Sequence, residues 1–332
     1  MPSGLSPLLL VLIGLAVVFD FINGFHDTAN AVATVISTRV LRPTVAIVMA
    51  AVLNFVGAMS GTEVAKTVGS GIVGAQVPLM AISAALVGAI AWNLITWYYG
   101  IPSSSSHALI GSLLGAGIAS LGIHTVHWNV LWGKVALPLL LSPVVGFVVA
   151  LWLMRLLIRI FASMPPRRVG PIFRHSQVLS AAFMAFSHGG NDAQKTMGII
   201  TLGLVSAGIL PSFQVPTWVI ALSALAMAVG TLAGGRRIIH TMGTRLAHLE
   251  AIHGFAAETS AGAVIQAASR LGFPLSTTHV IGSSILGVGA ARRMNAVRWE
   301  VVRNMVSAWM LTIPVTAVLG FTAALAAKAL FP

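Results

Sequence analysis

The stretch that decides the fold is "NGFHDTANAVATVI", residues 23–36, which places an aspartate and its polar neighbours inside an apolar region. It follows directly on "SPLLLVLIGLAVVFDFI", residues 6–22. A helix needs about 20 apolar residues to cross the hydrocarbon core of a bilayer. The region therefore predicts a membrane-embedded helix that carries Asp27. An ionisable side chain at that depth is energetically costly and usually marks the path of an ion or a substrate.

The composition of the chain predicts an all-α polytopic membrane protein. Of its 332 residues, 57% are hydrophobic and only 8% are charged, whereas soluble domains contain about 25% charged residues. Apolar runs recur at 44–61, 79–99, 135–154, 217–234 and 305–327. Membrane β-barrels would show weaker alternating segments of about 10 residues instead. We expect roughly 10–12 helical membrane segments in the cell (cytoplasmic) membrane, with the lipid bilayer as a constant partner.

The net charge of +12 does not indicate nucleic acid as a partner. Arg and Lys cluster in short connections between apolar runs, as the positive-inside rule describes. Residues 155–174 contain five Arg, and we interpret 161–177 as a basic cytoplasmic loop. This loop divides the chain into a first transmembrane unit at 1–160 and a second at 178–332. The absence of Cys excludes disulfides and thiolate metal sites.

Two motifs occur once in each half of the chain. The acidic motifs are "GFHDTANAVATVI" and "SHGGNDAQKTMGII", and aligning them places Asp27 on Asp192. The second pair, "GIPSSSSHALIGSLLGAGIA" and "GFPLSTTHVIGSSILGVGAA", follows some distance later in each half. The order of motifs is therefore repeated, which indicates an internal duplication.

The charges near these motifs predict that the two halves have opposite orientations. Arg39 and Arg42 follow the first acidic motif, whereas residues 196–235, after the second, contain no charge. The second Pro-Ser/Thr-His motif is followed by Arg292, Arg293 and Arg298. Equivalent connections thus differ in positive charge and should face opposite sides of the membrane. Inverted-topology repeats with a site near the midplane are common in secondary transporters, and we expect both termini outside.

The acidic residues are the first candidates for cation chemistry. Asp27 and Asp192 occupy matched positions, and each could carry a proton or bind a metal ion. Asp20 has no repeat partner, so a structural role is the simpler expectation there. Glu258 is the other acid within an apolar run and is a candidate for a proton or cation site.

The residues next to the paired aspartates differ between the halves. Asn30 aligns with Lys195. The amide oxygen of an asparagine suits a hard cation, whereas a lysine supplies a positive charge. Lys195 could pair with Asp27 or Asp192, face an anion, or extend towards the membrane interface.

The Pro-Ser/Thr-His motifs predict helix breaks in re-entrant hairpins. Proline disfavours helix in the residue before it, and Ser or Thr favours a helix N-cap, so new helices should begin at 104–107 and 276–279. A helix N-terminus has unpaired N–H groups that suit an anion. His107 and His279 could cap, position or titrate, or be structural. The candidate anion-binding residues are Ser104, Ser105, Ser106, Ser276, Thr277 and Thr278.

These four motifs resemble the duplicated signature and paired hairpins of the inorganic phosphate transporter (PiT) family, over nearly the whole chain. The resemblance implies inverted repeats, re-entrant hairpins and a central phosphate site. It also implies that Asn30, Asn191 and the hairpin hydroxyls line the phosphate and ion sites together with the two aspartates. The first motif is similar to that of bacterial permeases regarded as proton-coupled, which carry phosphate as a complex with Mg or another divalent metal. In sodium-coupled relatives the second acidic motif ends in Asn, where this chain has Lys195.

We therefore expect a symporter of inorganic phosphate coupled to protons, with no permanently bound cofactor. Coupling to sodium and transport of sulfate are the alternatives within the same class. An intramembrane serine hydrolase using Ser106 and His107 is the alternative in another class. It is disfavoured because a hydrolase has no use for a second Ser/Thr-His copy. A homodimer is a further expectation about partners.

Overall fold

The computed structural model describes residues 6–74, 76–246, 249–292 and 298–330, so Arg293 of the charge pattern lies outside the described residues. The described part is helical and contains no β-strand. The helices are α1 Pro7–Ser37, α2 Pro43–Ala58, α3 Glu63–Lys66, α4 Leu79–Tyr99, α5 Ser105–Leu121, α6 Trp128–Val130, α7 Leu137–Ile160, α8 Pro166–Ser206, α9 Thr217–Ala233, α10 Arg236–His240, α11 Ala251–Arg270, α12 Thr277–Arg292 and α13 Trp299–Leu330. Single π-helical turns follow α3, α6 and α10.

Four described segments are long and apolar enough to cross a bilayer: α1, α4, α6 with α7, and α13. Two further pairs, α2 with α3 and α9 with α10, meet the same criterion together, but they bend by 66° and 68° at the break. The predicted ten to twelve segments would also have to include the more polar or shorter helices α5, α8, α11 and α12. That count stays a prediction.

The basic segment 161–177 is mostly helix, which corrects the interpretation of it as a loop. Helix α7 ends at Ile160 and α8 already begins at Pro166, so only five residues lie between them. A proline in the first turn suits a helix, because its fixed φ is helical and its missing N–H has no partner there anyway. The arginines that follow are good helix formers. The division of the chain on either side of this segment stays a prediction.

The helix breaks occur where the Pro-Ser/Thr-His motifs predict them. Helix α5 begins at Ser105 and α12 at Thr277, which confirms both predicted starts. A glycine precedes each break at a matched position: Gly100 has φ 65° and Gly272 has φ 74°. Positive φ is strained for residues with a Cβ, so these glycines let α4 and α11 end and the chain turn towards the next half-helix.

The helices of the two halves pack in an exchanged pattern. Helix α5 packs on α13 and α12 packs on α7, while α2 packs on α8 and α9 packs on α1. Exchanging the halves therefore reproduces the packing, as a two-fold relation would. That the halves have opposite orientations in the bilayer stays a prediction.

The matched glycines of the acidic motifs lie where helices cross. A Cβ on Gly24 of α1 would come within 2.9 Å of the Gly230 Cα of α9. A Cβ on Gly189 of α8 would come within 2.5 Å of the Asn54 Cα of α2. Both distances are too short for a side chain, so glycine permits the close approach that positions the acidic motifs.

A cavity of about 700 Å³ opens at one end of the bundle, where Arg39, Arg174 and Arg298 are among its lining residues. We call it the arginine vestibule. Its arginines come from the connection after α1, the first part of α8 and the connection after α12, which the charge pattern assigns to one side of the membrane. Their convergence agrees with that assignment.

Candidate functional site

The two matched aspartates lie in the buried centre of the bundle, each paired with a hydroxyl at the start of a half-helix. The Ser105 hydroxyl of α5 donates to Asp27 Oδ2 at 2.9 Å. The Thr277 hydroxyl of α12 donates to Asp192 Oδ2 at 3.0 Å. Both carboxylates are almost completely shielded from solvent. The repeat seen in the sequence is therefore a repeat of contacts.

The N-termini of α5 and α12 have the properties that an anion site requires. Ser104 and Ser276 use their hydroxyls as caps and accept from the backbone N–H of His107 at 3.1 Å and of His279 at 3.3 Å. The first N–H groups of a helix have no partner within it, and the dipole there is positive. The two capping hydroxyls are already engaged, so the groups left for an anion are the backbone N–H groups at the start of each helix: those of Ser105, Ser106, Thr277 and Thr278.

Lys195 extends from α8 into the gap between the two half-helices. Its ammonium group donates to Asp192, to Ser106 Oγ at 2.5 Å and to the Leu275 carbonyl at 3.0 Å. It is fully buried, so the alternative of a lysine extending to the membrane interface is wrong for this conformation. The charge of Lys195 instead lies beside Asp192, at the N-terminus of α5.

Asn30 makes the corresponding contact from α1. Its amide group donates to Thr278 Oγ1 at 2.9 Å and to Thr277 Oγ1 at 3.2 Å. Each acidic motif thus reaches the half-helix of the opposite half. Within the described ranges the Asn30 Oδ1 atom has no hydrogen-bond partner, so this oxygen could accept from a proton donor or bind a cation.

Asn191 stabilises the helix break before α12 through both the nitrogen and the oxygen of its side-chain amide. It donates to Ser269 Oγ at 2.8 Å and to the Phe273 carbonyl at 3.2 Å, and it accepts from the Leu275 N–H at 3.2 Å. In this conformation it positions the hairpin, and its contact with phosphate stays a prediction. His26 aligns with Asn191 and contacts the other hairpin, at Thr96 and Ser103.

His188 joins the paired aspartates, and the sequence did not single it out. Oxygen and nitrogen atoms of Asp27, His188 and Asp192 all lie within 4.8 Å of one another. The His188 Nδ1 atom lies 3.1 Å from Asn54 Oδ1. The other ring nitrogen is 3.1 Å from Asp192 Oδ2 but is not aligned for a hydrogen bond. Two carboxylates and an oriented imidazole are a set that could hold a divalent ion. The only signal in the sequence was the place of this histidine one turn before Asp192.

Glu258, on α11, contacts α1 and α8 rather than the central aspartates. Its carboxylate accepts from Thr34 and Ser180 at 2.5 Å each and from Gln177 at 3.0 Å. The side chain of Gln177 accepts in turn from Thr38 at 2.9 Å, and Thr38 lines the arginine vestibule. Glu258 is thus connected to the vestibule by hydrogen bonds.

His107 and His279 stack on each other at the contact of the two half-helices. Their ring centroids are 4.6 Å apart, and Trp309 stacks on His279 at 4.0 Å.

The Ser106 hydroxyl donates to the Leu275 carbonyl and accepts from Lys195. No hydrogen bond joins Ser106 to His107 among the described residues, so the geometry of a serine nucleophile is not formed.

Comparison with known protein families identifies the class of protein to which this chain belongs. The profile of the Phosphate transporter family matches residues 23–320. The chain belongs to this family and is a multi-pass protein of the cell membrane.

Particular relatives match over nearly the full length. A probable low-affinity inorganic phosphate transporter of Rhizobium meliloti is 49% identical over 317 residues, which cover 94% of each chain. A protein of the same description from Bacillus subtilis is 45% identical over 309 residues, or 92% of each. These relatives are described as transporters and not as enzymes. A solved structure, the sodium-dependent phosphate transporter, has a TM-score of 0.87, 24% identity and coverage of 97% of this chain and 99% of its own. It shows the same fold.

Proposed function

We propose that this chain is a proton-coupled symporter of inorganic phosphate that works by alternating access. The observation that carries the proposal is the meeting of two half-helix N-termini, a buried lysine and two carboxylates in one site. This site offers donors to an anion and acceptors to a cation in one buried cluster of side chains. The similar proteins described as probable low-affinity inorganic phosphate transporters support the same substrate.

Phosphate would lie between the starts of α5 and α12. The backbone N–H groups of Ser105, Ser106, Thr277 and Thr278 would donate to its oxygens. The hydroxyls of Ser105, Ser106 and Thr277 would join them by exchanging their present acceptors for phosphate oxygens. Lys195 now fills this gap with bonds to Ser106 and Leu275. Exchanging those two contacts for phosphate oxygens would keep the ammonium paired with Asp192. In this scheme Asn191 acts by holding the hairpin in place.

Two carboxylates beside the anion favour phosphate over sulfate. Hydrogen phosphate carries a proton that it can donate to a carboxylate such as Asp27, whereas sulfate is fully ionised at neutral pH. A carboxylate next to sulfate would therefore add repulsion without a compensating hydrogen bond.

Lys195 favours protons over sodium as the coupling ion. An ammonium and a sodium ion about 4 Å apart repel by about 4 kcal/mol at an effective dielectric constant of 20. That corresponds to roughly a thousandfold weaker binding of sodium. Sodium coupling remains the alternative function, because the chain shares its fold with a sodium-dependent phosphate transporter.

A divalent metal would travel with the substrate rather than belong to the protein. The Lys195 ammonium would repel a bare divalent ion as it repels sodium, so Asp27, Asp192 and His188 could bind the metal only together with its phosphate, whose negative charge offsets that repulsion. Asn54 would orient the imidazole. Glu258, which is connected to the arginine vestibule through Gln177 and Thr38, would provide a route for protons to that side.

The test is uptake of labelled phosphate into proteoliposomes, with pH gradient, sodium and magnesium varied one at a time. We expect uptake to follow the pH gradient and to be unchanged when choline replaces sodium. A requirement for magnesium would identify the metal complex as the substrate. A steep loss of uptake in choline at constant pH gradient would contradict proton coupling and favour the sodium alternative.

A further inference from the structure

Asp20 is a buried carboxylate that the central site does not use. It lies on α1 and is fully shielded from solvent. In the part of the chain that the structure describes, neither of its oxygens accepts a hydrogen bond, and no cation forms an ion pair with it. A buried carboxylate without donors is strongly disfavoured in its ionised form. The simple structural role expected from the sequence does not explain this arrangement.

The polar neighbours of Asp20 lie close to its carboxyl group but form no well-aligned hydrogen bond with it. Asn23 and Thr196 lie next to it. The Asn23 amide nitrogen points to the sulfur of Met227 at 3.9 Å, and its Oδ1 atom has no partner among the described residues. The Thr196 hydroxyl is likewise unpartnered there. The Asn23 Oδ1 atom and the Thr196 hydroxyl thus remain free to take part in a hydrogen bond with the carboxyl group. When Asp20 is protonated, its O–H can donate to an unpartnered acceptor and its other oxygen can accept from the Thr196 hydroxyl.

Few charged groups surround Asp20. From α8, Asp192 and Lys195 are within electrostatic range, and the Lys195 ammonium is already bonded to Asp192. Helices α2, α4 and α9, which also pack on α1, contain no Asp, Glu, His, Lys or Arg. On α1 itself, His26 is paired with Asp27. Helices α10, α11 and α12 also pack on α1 and carry ionisable residues, but they meet it further along, at Phe25, Thr34 and Asn30 respectively.

The spacing along α1 places carboxyl groups at three depths. Asp20, Asp27 and Thr34, the partner of Glu258, are each seven residues apart. Seven residues are nearly two turns, so the three positions share one face at intervals of about 10 Å. Thr38, at the end of α1, lines the arginine vestibule. Asp20 is therefore on the opposite side of the central site from the vestibule and from Glu258.

We propose that Asp20, with Asn23 and Thr196, is a proton-binding site separate from the phosphate site, which loads the co-transported proton on the side away from the arginine vestibule. The inference rests on the proposed proton coupling. The step is reversible: a proton from water binds one carboxylate oxygen, the neutral carboxyl group persists while the bundle is closed, and the proton leaves once the bundle opens on the vestibule side.

The direct test is infrared spectroscopy of the purified protein in lipid, which detects the carbonyl stretch of a protonated carboxyl group without any transport. We expect the wild type to show such a band at neutral pH and Asp20→Asn to lack that component. Glu63→Gln is the matched control, since Glu63 is an exposed acid paired with Lys66 and should leave the band unchanged. A spectrum of Asp20→Asn identical to that of the wild type would overturn the proposal.

The transport test separates this inference from the proposed function. Asn at position 20 imitates the neutral acid, so exchange of labelled for unlabelled phosphate at equal pH should continue, while uptake driven by a pH gradient should fall at least tenfold. Wild-type uptake indifferent to the pH gradient would contradict the proposed function itself. Normal gradient-driven uptake by Asp20→Asn would overturn only the role of Asp20. Sodium binding that is lost in this variant would also overturn it, because the site would then hold sodium.

If Asp20→Asn does not fold, Asp20→Glu serves in its place. It keeps a carboxyl group and should retain the infrared band, shifted by the new surroundings, with gradient-driven uptake at least partly preserved. A folded Asp20→Glu variant with the wild-type spectrum unshifted would place the protonated group elsewhere and overturn the proposal.

Discussion

At the scale of single residues, the most consequential contact is the ion pair of Lys195 and Asp192. Both side chains are buried, and the ammonium group has three acceptors, so the charge is fully satisfied by the protein. A buried ion pair adds little net stability, but removing one partner leaves the other uncompensated. The stability of the central site therefore depends on keeping both charges of the pair.

Lys195→Met should destabilise the protein by about 3–5 kcal/mol, because Asp192 would remain buried without its cation. The measurement is the free energy of unfolding in detergent. The double variant Lys195→Met with Asp192→Asn should recover part of the loss, since no isolated charge is left. Equal stability of Lys195→Met and wild type would mean that the ammonium does not lie beside Asp192.

Asp27→Asn and Asp192→Asn should each abolish concentrative uptake of phosphate. Each removes an acceptor for a proton or metal at the centre but keeps the size of the side chain. The assay is uptake in proteoliposomes, with Glu63→Gln as the control acid. Uptake near the wild-type level in either variant, at equal protein content, would remove that aspartate from the mechanism.

At the scale of elements, the helix breaks follow from local chemistry. Pro and the Ser or Thr run are visible in the sequence and predict where α5 and α12 begin. The structure adds that the glycine before each break has a positive φ. The start of α8 was harder to predict, because a segment rich in arginine and proline is typical of a loop between membrane helices. In the structure the helix nevertheless begins at Pro166.

The crossing of α1 and α9 can be tested with two glycines of the same helix. Gly24→Ala should destabilise by about 1–3 kcal/mol, since its Cβ would overlap α9 and the core does not tolerate added volume. Gly14→Ala should be neutral or stabilise by up to about 1 kcal/mol, because nothing lies within 4 Å and alanine favours helix. Thermal unfolding of both variants measures the difference, and equal effects would contradict the close crossing.

At the scale of the whole molecule, the distribution of arginines predicts the orientation in the membrane. Ser163, in the short connection before α8, should face the cytoplasm, and the exposed Ser212, between α8 and α9, should face outside. Because the chain has no native Cys, Ser163→Cys and Ser212→Cys can each be labelled without background. In intact cells an impermeant thiol reagent should modify only the cysteine at 212. Modification of Ser163→Cys instead would show that the protein has the opposite orientation.

The sequence by itself determined the all-helical membrane fold, the phosphate transporter class and the paired motifs. These depend on properties that lie close together along the chain: long apolar runs, prolines with hydroxyls at helix breaks, and acids within apolar segments. The tertiary structure alone decided which groups meet. Lys195 contacts the hairpin of the other half, His188 joins the paired aspartates and Glu258 lies apart towards the vestibule. Among the described residues, Asp20 accepts no hydrogen bond. Such contacts depend on how helices far apart in the chain cross and rotate against each other, and that is set by packing over the whole bundle rather than by local patterns.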